Sequence, residues 1–202
     1  MTQPRVAVVD SGVANLTSVM AALQRLNADA EVTSDATRIK SAERVIIPGV
    51  GAARPAMAQI HTKGLTETLR GLTQPVLGIC LGMQLLFGKS FEGKEPVECL
   101  GVLPGDIRMM KASPDMPVPH MGWNQLTPVQ KDHKLLRAVP PGSYVYFVHS
   151  FMAPVSNATI ASTDYGERFT AVAGVGNFFG CQFHPERSGT VGSRILENFL
   201  SI

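Results

Sequence analysis

The segment Gly78-Ile79-Cys80-Leu81-Gly82 sets a cysteine between two glycines. An apolar run, residues 76–79, ends there, and an apolar helix-forming stretch follows it to Phe87. This is the G-x-C-x-G form of the sharp strand-to-helix turn that presents a nucleophile. Such a turn crowds its own backbone, so residues without a Cβ at 78 and 82 let the central side chain stand clear at the strand's carboxyl end. A helix N-terminus beside the thiol would favour its anion. Isolated cysteines are more often small buried residues than nucleophiles. That reading suits Cys99, in a loop after Pro96, and Cys181, which alternates with Phe179 and Phe183 on one strand face.

A thiol nucleophile needs a base and a third group to fix the base. Of five histidines, His184 stands out in Gln182-Phe183-His184-Pro185-Glu186. Residues two apart in extended chain point the same way, which places His184 and Glu186 on one face. Glu186 would hold one ring nitrogen while the other faces Cys80, the division of labour of a Ser-His-Asp triad. His120 and His149 could border the site but have no comparable carboxylate. His61 and His133 lie in polar stretches.

A second apolar run, Ile46-Ile47-Pro48, leads into Gly49-Val50-Gly51. If this strand is parallel to residues 76–79, the glycine turn opens beside the cysteine. An amide of Val50 or Gly51, together with that of Leu81, would suit the anion formed when Cys80 attacks a carboxamide. Removing one such donor typically costs about 2.7 to 4 kcal/mol of transition-state stabilisation. The glycines serve equally well as plain turn residues when taken alone.

Positioning these groups requires a sheet whose strands end together. The first half supplies short apolar runs at 6–9, 31–33, 45–47 and 76–79, separated by amphipathic stretches. Leu16, Val19, Met20, Leu23 and Leu26 recur at helical spacing after a candidate N-cap, Asn15. Further helical segments are expected around 53–60 and 65–72. This alternation reads as an α/β fold with parallel strands. The second half reads as antiparallel: β-rich runs at 144–148, 170–175 and 177–183, a turn at 174–177, and a closing helix over 191–200 that offers Ile195, Leu196 and Phe199 to the core.

The chain has 202 residues, 45% hydrophobic and 17% charged, enough for one core, and one domain spanning 1–202 is expected. A net charge of +2 with dispersed basic residues argues against a nucleic-acid binder. The N-terminal apolar run, ended by Asp10, is too short for a signal peptide or membrane span, which points to a cytoplasmic protein. Three cysteines without a CxxC pair argue against a disulfide framework or a cysteine zinc site. No HExxH occurs, so neither a metal nor a cofactor is expected. Gly88-Lys89-Ser90 is separated from Gly82 by five residues instead of four, those five forming an apolar helical stretch, and fails as a phosphate loop. Gly49-Val50-Gly51 has Arg54 where a dinucleotide fingerprint needs its last glycine.

Taken in order, P-G-V-G, G-I-C-L-G-M-Q and F-H-P-E resemble the class I glutamine amidotransferases over nearly the whole chain. Residues 78–87, His120-Met121-Gly122-Trp123-Asn124 and Tyr146-Phe147-Val148-His149-Ser150-Phe151 resemble, within that class, the glutaminase subunits of imidazole glycerol phosphate synthase in histidine biosynthesis. The resemblance implies a flavodoxin-like three-layer sandwich, with a central mostly parallel sheet and additional antiparallel strands. It implies a Cys80, His184, Glu186 triad and a glutamyl thioester. Gln84, Ser150, Phe151 and the backbone from Gly49 to Gly51 would hold glutamine. It also implies a heterodimer with a (β/α)8-barrel cyclase subunit, which takes the ammonia to make imidazole glycerol phosphate and aminoimidazole carboxamide ribotide.

Two segments carry that partnership in the family, the loop from Asp10 to Asn15, with Gly12 and Asn15, and Arg187-Ser188-Gly189. Pro119, Met121 and Trp123 would join them. The first departs from the family's D-Y-G-x-G-N-L at Ser11 and Ala14, and the second has Arg187 where lysine is common. A pyridoxal phosphate synthase glutaminase would share the triad but not the 120–124 and 146–151 stretches. A free-standing cysteine peptidase or esterase would act without a partner. A non-catalytic binding module would leave the triad without a purpose.

Overall fold

The computed structural model describes residues 4–12 and 15–202; Val13 and Ala14, in the loop assigned above to a partner, lie outside the described residues. Strand β1 (Arg5–Val9) pairs in parallel with β2 (Asp29–Thr33) on one side and β3 (Arg44–Gly49) on the other. Strand β3 in turn pairs in parallel with β4 (Val76–Cys80). Helix α1 (Leu16–Arg25) joins β1 to β2, and Asn15 caps it by accepting from Ser18 N at 3.4 Å. Helix α2 (Ala36–Ser41) joins β2 to β3; α3 (Ala53–Thr62) and α4 (Thr66–Arg70) join β3 to β4.

Past the cysteine the pattern changes. Helix α5 (Leu81–Gln84) is followed by a ribbon of β5 (His120–Gln125) and β7 (Tyr144–His149), with short β6 (Thr127–Pro128) between them in sequence. Strand β8 (Thr159–Tyr165) pairs antiparallel with β9 (Glu167–Val175), and β9 antiparallel with β10 (Phe178–Cys181). Strand β10 then lies parallel to β4, which completes an eight-stranded sheet in the order β2-β1-β3-β4-β10-β9-β8-β6. The last helix is α6 (Gly189–Leu200). Among the described residues, no helix is long and apolar enough to cross a membrane.

The period-2 alternation of the strands divides the core between two faces. From β1, Val6 and Val8 join Ile46, α1 residues Val19 and Leu23, and α6 residues Ile195, Leu196 and Phe199. Ala7 and Val9 face the opposite way with Val45, Ile47, Ile60 of α3 and Leu69 of α4. The three-layer arrangement expected above is present, with the sheet mixed beyond β4.

Three local differences have physical causes. Helix α5 stops at Gln84, although the apolar stretch to Phe87 predicts a longer one. Amides of a following loop claim the next carbonyls: Leu100 N donates to Leu85 O at 2.8 Å and Gly101 N to Phe87 O at 2.8 Å. A single turn has little dipole, so the helix-end field expected at Cys80 is small. His184 and Glu186 do not lie along extended chain, because Pro185–Arg187 forms a 3-10 turn with Pro185 at its start. Strands β5 and β8 and helix α2 were absent from the sequence reading. Helix α2 buries only Ile39, and its signal was Asp35, whose carboxylate accepts from Thr37 N and Arg38 N at 2.7 and 3.2 Å.

Candidate active site

Cys80 closes β4 at φ 53° and ψ −112°, a backbone conformation that L side chains rarely adopt. The two flanking glycines make it attainable. A Cβ on Gly82 would lie 1.7 Å from the Ile47 carbonyl oxygen, and one on Gly78 would lie 2.6 Å from Met83 N. Their absence lets α5 press onto β3 and β4. The cysteine therefore stands at the carboxyl ends of parallel strands, where open α/β sheets bind ligands.

The neighbour of β4 brings the base. Strand β10 pairs with β4 through Cys181↔Ile79 and Gly180↔Gly78, so the chain beyond it, Gln182 to His184, runs out beside Cys80. His184 Nδ1 lies 2.7 Å from Glu186 Oε1, and the two side chains are only 7% and 2% exposed. A carboxylate accepts, so Nδ1–H donates, and in the neutral ring Nε2 is the nitrogen that carries the lone pair. No atom completes a hydrogen bond to Nε2. Burial works against the imidazolium, but Cys80 and then Glu186 outweigh it and push His184 upward. Ser188 fixes the turn: its hydroxyl donates to His184 O at 2.6 Å and accepts from Tyr146 N at 3.0 Å.

Cys80, His184, Val50, Gly51, Ser150 and Phe151 border a cavity of about 280 Å3. That is at the small end for ligand pockets and suits an amino acid better than a nucleotide. Leu81 and Gln84 also line it. Gln84 spends its side-chain nitrogen internally, donating to Phe151 O at 2.9 Å and to Gln182 Oε1 at 3.0 Å, so only its oxygen is left for a ligand. Gly49 is placed where strand and helix pack closely. It does not border the cavity, and a Cβ there would come within 2.9 Å of Gly82 N.

The residues expected at a partner surface divide. Met121 and Trp123 point outward from β5 and are 63% and 55% exposed. Pro119 is exposed and borders the cavity as well. Gly12 is exposed at φ 77°, and Arg187 lies over the Tyr146 ring, 4.8 Å from its centroid. Asn15 is exposed but serves as the cap of α1. Ser188 is 1% exposed in the isolated chain, with its hydroxyl bonded twice within it.

Two residues at the site were missed. Glu92 borders the cavity and accepts from Ala53 N at 2.7 Å, supplying to α3 the cap that Ala52 cannot. It lies in an irregular loop with no pattern to mark it. Gln182 places its side-chain nitrogen 3.9 Å from Cys80 Sγ. Its signal was visible: a polar residue two before His184 in an otherwise apolar strand. Among the described residues, no cluster of His, Cys, Asp or Glu could hold a metal ion.

A cysteine elbow beside a buried His-Glu pair, at the carboxyl ends of the parallel strands of a mixed α/β sheet, fits the class of enzymes that cleave amides by acyl transfer. The family described as Glutamine amidotransferase class-I matches residues 7–202. Solved structures share the fold: one described as a glutamine amidotransferase has a TM-score of 0.73 at 18% identity, covering 97% of each chain. A structure of PurLQS from Thermotoga maritima has a TM-score of 0.71 at 20% identity, covering 99% of each.

Relatives nearer in sequence narrow the family. "Imidazole glycerol phosphate synthase subunit HisH" of Xanthomonas euvesicatoria pv. vesicatoria (strain 85-10) is 53% identical over 197 residues, covering 98% of this chain and 97% of the relative. The protein of the same name from Colwellia psychrerythraea (strain 34H) is 47% identical over 215 residues, covering 100% and 95%. The chain belongs to the class-I glutamine amidotransferases and, among them, to the HisH subunits of imidazole glycerol phosphate synthase.

Proposed function

We propose that residues 1–202 act as one glutaminase domain in which Cys80 is the nucleophile, His184 the acid and base, and Glu186 the orienter. The protein is the glutaminase subunit of imidazole glycerol phosphate synthase, which works in histidine biosynthesis in the cytoplasm and delivers ammonia to its cyclase subunit. That cyclase is a (β/α)8 barrel. The observation that best supports this reading is the convergence on one small cavity of a cysteine held at positive φ and a buried His-Glu pair whose Nε2 has no hydrogen-bond partner.

Glutamine enters with its carboxamide carbon at Cys80 Sγ. The thiol proton passes to His184 Nε2, the sulfur anion then forms the C–S bond, and the carbonyl oxygen becomes an anion. The amide of Leu81 and one from Val50 or Gly51 receive that charge. The adduct collapses as His184 gives its proton to the leaving nitrogen, which departs as ammonia and leaves a glutamyl thioester. Water then attacks with His184 as base. The second adduct expels sulfur, which regains its proton, and glutamate is released. Glu186 keeps Nδ1 protonated throughout and stabilises each transient imidazolium. Glu92, the acidic residue at the cavity wall, suits the α-ammonium of the substrate, and Ser150 and Phe151 shape the opposite wall.

The test measures glutamine hydrolysis by the protein alone, then with the cyclase and its nucleotide ligand. Weak activity alone and strong activation in the complex are expected, since ammonia released without an acceptor wastes glutamine. Full activity alone, unchanged by the cyclase, would overturn the partnership. Cys80→Ala should abolish glutamine-dependent synthesis and leave synthesis from added ammonia intact.

A further inference from the structure

The Cys80 sulfur has two polar neighbours outside the triad, and they oppose each other. It lies 3.9 Å from the Val148 carbonyl oxygen, which can only accept, and 3.9 Å from Nε2 of Gln182. Which end of the Gln182 carboxamide faces sulfur is settled by a fixed point elsewhere, the Phe151 carbonyl. A carbonyl only accepts, so the Gln84 group 2.9 Å from it is the NH2. The same nitrogen lies 3.0 Å from Gln182, whose facing atom is therefore the oxygen. The NH2 of Gln182 is thereby turned onto the sulfur.

A second chain of hydrogen bonds holds the Phe151 carbonyl from the other side. His149 Nδ1 donates to it at 2.9 Å. That leaves His149 Nε2 to accept from His120 Nδ1 at 3.1 Å, and His120 Nε2 to accept from Asn124 Nδ2 at 3.4 Å. Burial lowers the two imidazoles, His149 to about 3 and His120 to about 4, so both are neutral and each has one donor and one acceptor nitrogen. The hub cannot be inverted without leaving a buried group unpaired.

We infer that Gln182 is a further catalytic residue: its carboxamide N–H, aimed by Gln84 and the Phe151 carbonyl, stabilises negative charge on the Cys80 sulfur. The inference rests on the reading of Cys80 as nucleophile. Sulfur is anionic at two moments, after its proton has passed to His184 and as the second adduct expels it. At both, the Val148 carbonyl has lost the S–H it could accept from and repels the charge, while Gln182 keeps a donor in place. Gln182 is fully buried, so no water replaces that donor if it is removed.

Gln182→Met keeps the side chain's length and removes the donor. The rate of iodoacetamide alkylation at Cys80, followed by mass spectrometry of its peptide, is expected to fall about tenfold or more at neutral pH. In the complex with the cyclase, kcat for glutamine hydrolysis should fall by a similar factor while KM stays within about threefold, since the lost contact is to the nucleophile and not to bound glutamine. Gln182→Glu, which turns an acceptor toward sulfur, should be slower still. If Gln182→Met does not fold, Gln182→Asn withdraws the same NH2 by one methylene and reads the same two rates. Alkylation and kcat within about twofold of the parent in the folded variant would overturn the inference. So would a loss confined to KM. Alkylation needs no glutamine: a parent that alkylates at Cys80 yet does not hydrolyse glutamine even in the complex with the cyclase and its ligand defeats the glutaminase reading and leaves the Gln182 comparison valid.

Discussion

Cys80 is held at φ 53° and ψ −112°, where an L side chain costs about 1 to 3 kcal/mol and glycine costs little. The protein retains that strain at the residue proposed to attack. Cys80→Ala and Cys80→Gly both remove the sulfur, but only glycine relieves the backbone. Glycine's extra freedom in the unfolded chain gives back about 0.4 to 1 kcal/mol, which leaves Cys80→Gly ahead of Cys80→Ala by about 1 kcal/mol. Denaturant unfolding of the two variants measures the difference, and an alanine variant as stable as the glycine one would refute a strained nucleophile. The glycines around the cysteine were legible because each has a steric reason within a few residues of chain. Glu92 was not, because its role depends on an atom 39 residues away, and Gln182 showed only as a polar residue out of pattern, its role resting on an atom 102 residues away.

At the scale of elements, the parallel half was readable and the antiparallel half only in part. Strands β1, β3 and β4 are continuous apolar runs because both their faces are covered, and α1 announces itself by its stripe and its Asn15 cap. Strand β5 carries His120, Gly122 and Asn124 on alternate positions, which is no apolar pattern, since its inner face is a polar chain leading to Phe151. That inner face has a consequence for acid stability. His120 and His149 titrate at about 6.5 when unfolded and far lower when folded, so below pH 6.5 the unfolded chain takes up more protons and stability falls. His184, shifted the other way, adds no slope there, because below 6.5 it is charged in both states. Unfolding free energy should therefore drop by up to about 1.4 kcal/mol per pH unit for each buried histidine between pH 6.5 and about pH 5, above the carboxylate range. His120→Phe, which can keep the stacking on Phe147 and Tyr165, should make the slope shallower. An identical slope in the variant would show that His120 is not the group responsible.

Across the whole molecule, the site lies on the seam between two halves of different character. The proposed nucleophile comes from the parallel half and the proposed base from the antiparallel half, joined where β10 pairs with β4. Nothing local in the sequence requires that pairing; the turn residue Asn177 secures it by donating to Leu72 O at 2.9 Å and Gln74 O at 2.8 Å. Beyond the seam, the β5–β7 ribbon looks both ways. Its inner residues join the hydrogen bonds that lead to Cys80, and its outer ones, Met121, Trp123 and Tyr144, form an exposed apolar surface next to Pro119 at the cavity wall. Ammonia released at Cys80 in the proposed reaction would thus leave close to the face proposed for the cyclase. Replacing Met121 and Trp123 together by serine removes apolar area that the isolated chain leaves in water, so its unfolding free energy should change by no more than about 0.5 kcal/mol. An exposed tryptophan at the centre of an interface is commonly worth about 2 kcal/mol or more, so affinity for the cyclase, measured by calorimetric titration, should fall by at least about tenfold. Cys80 alkylation in the isolated variant should match the parent, because no side chain of the inner network has changed. Unaltered affinity would move the docking face elsewhere, and altered alkylation would mean that the two faces of the ribbon are not independent.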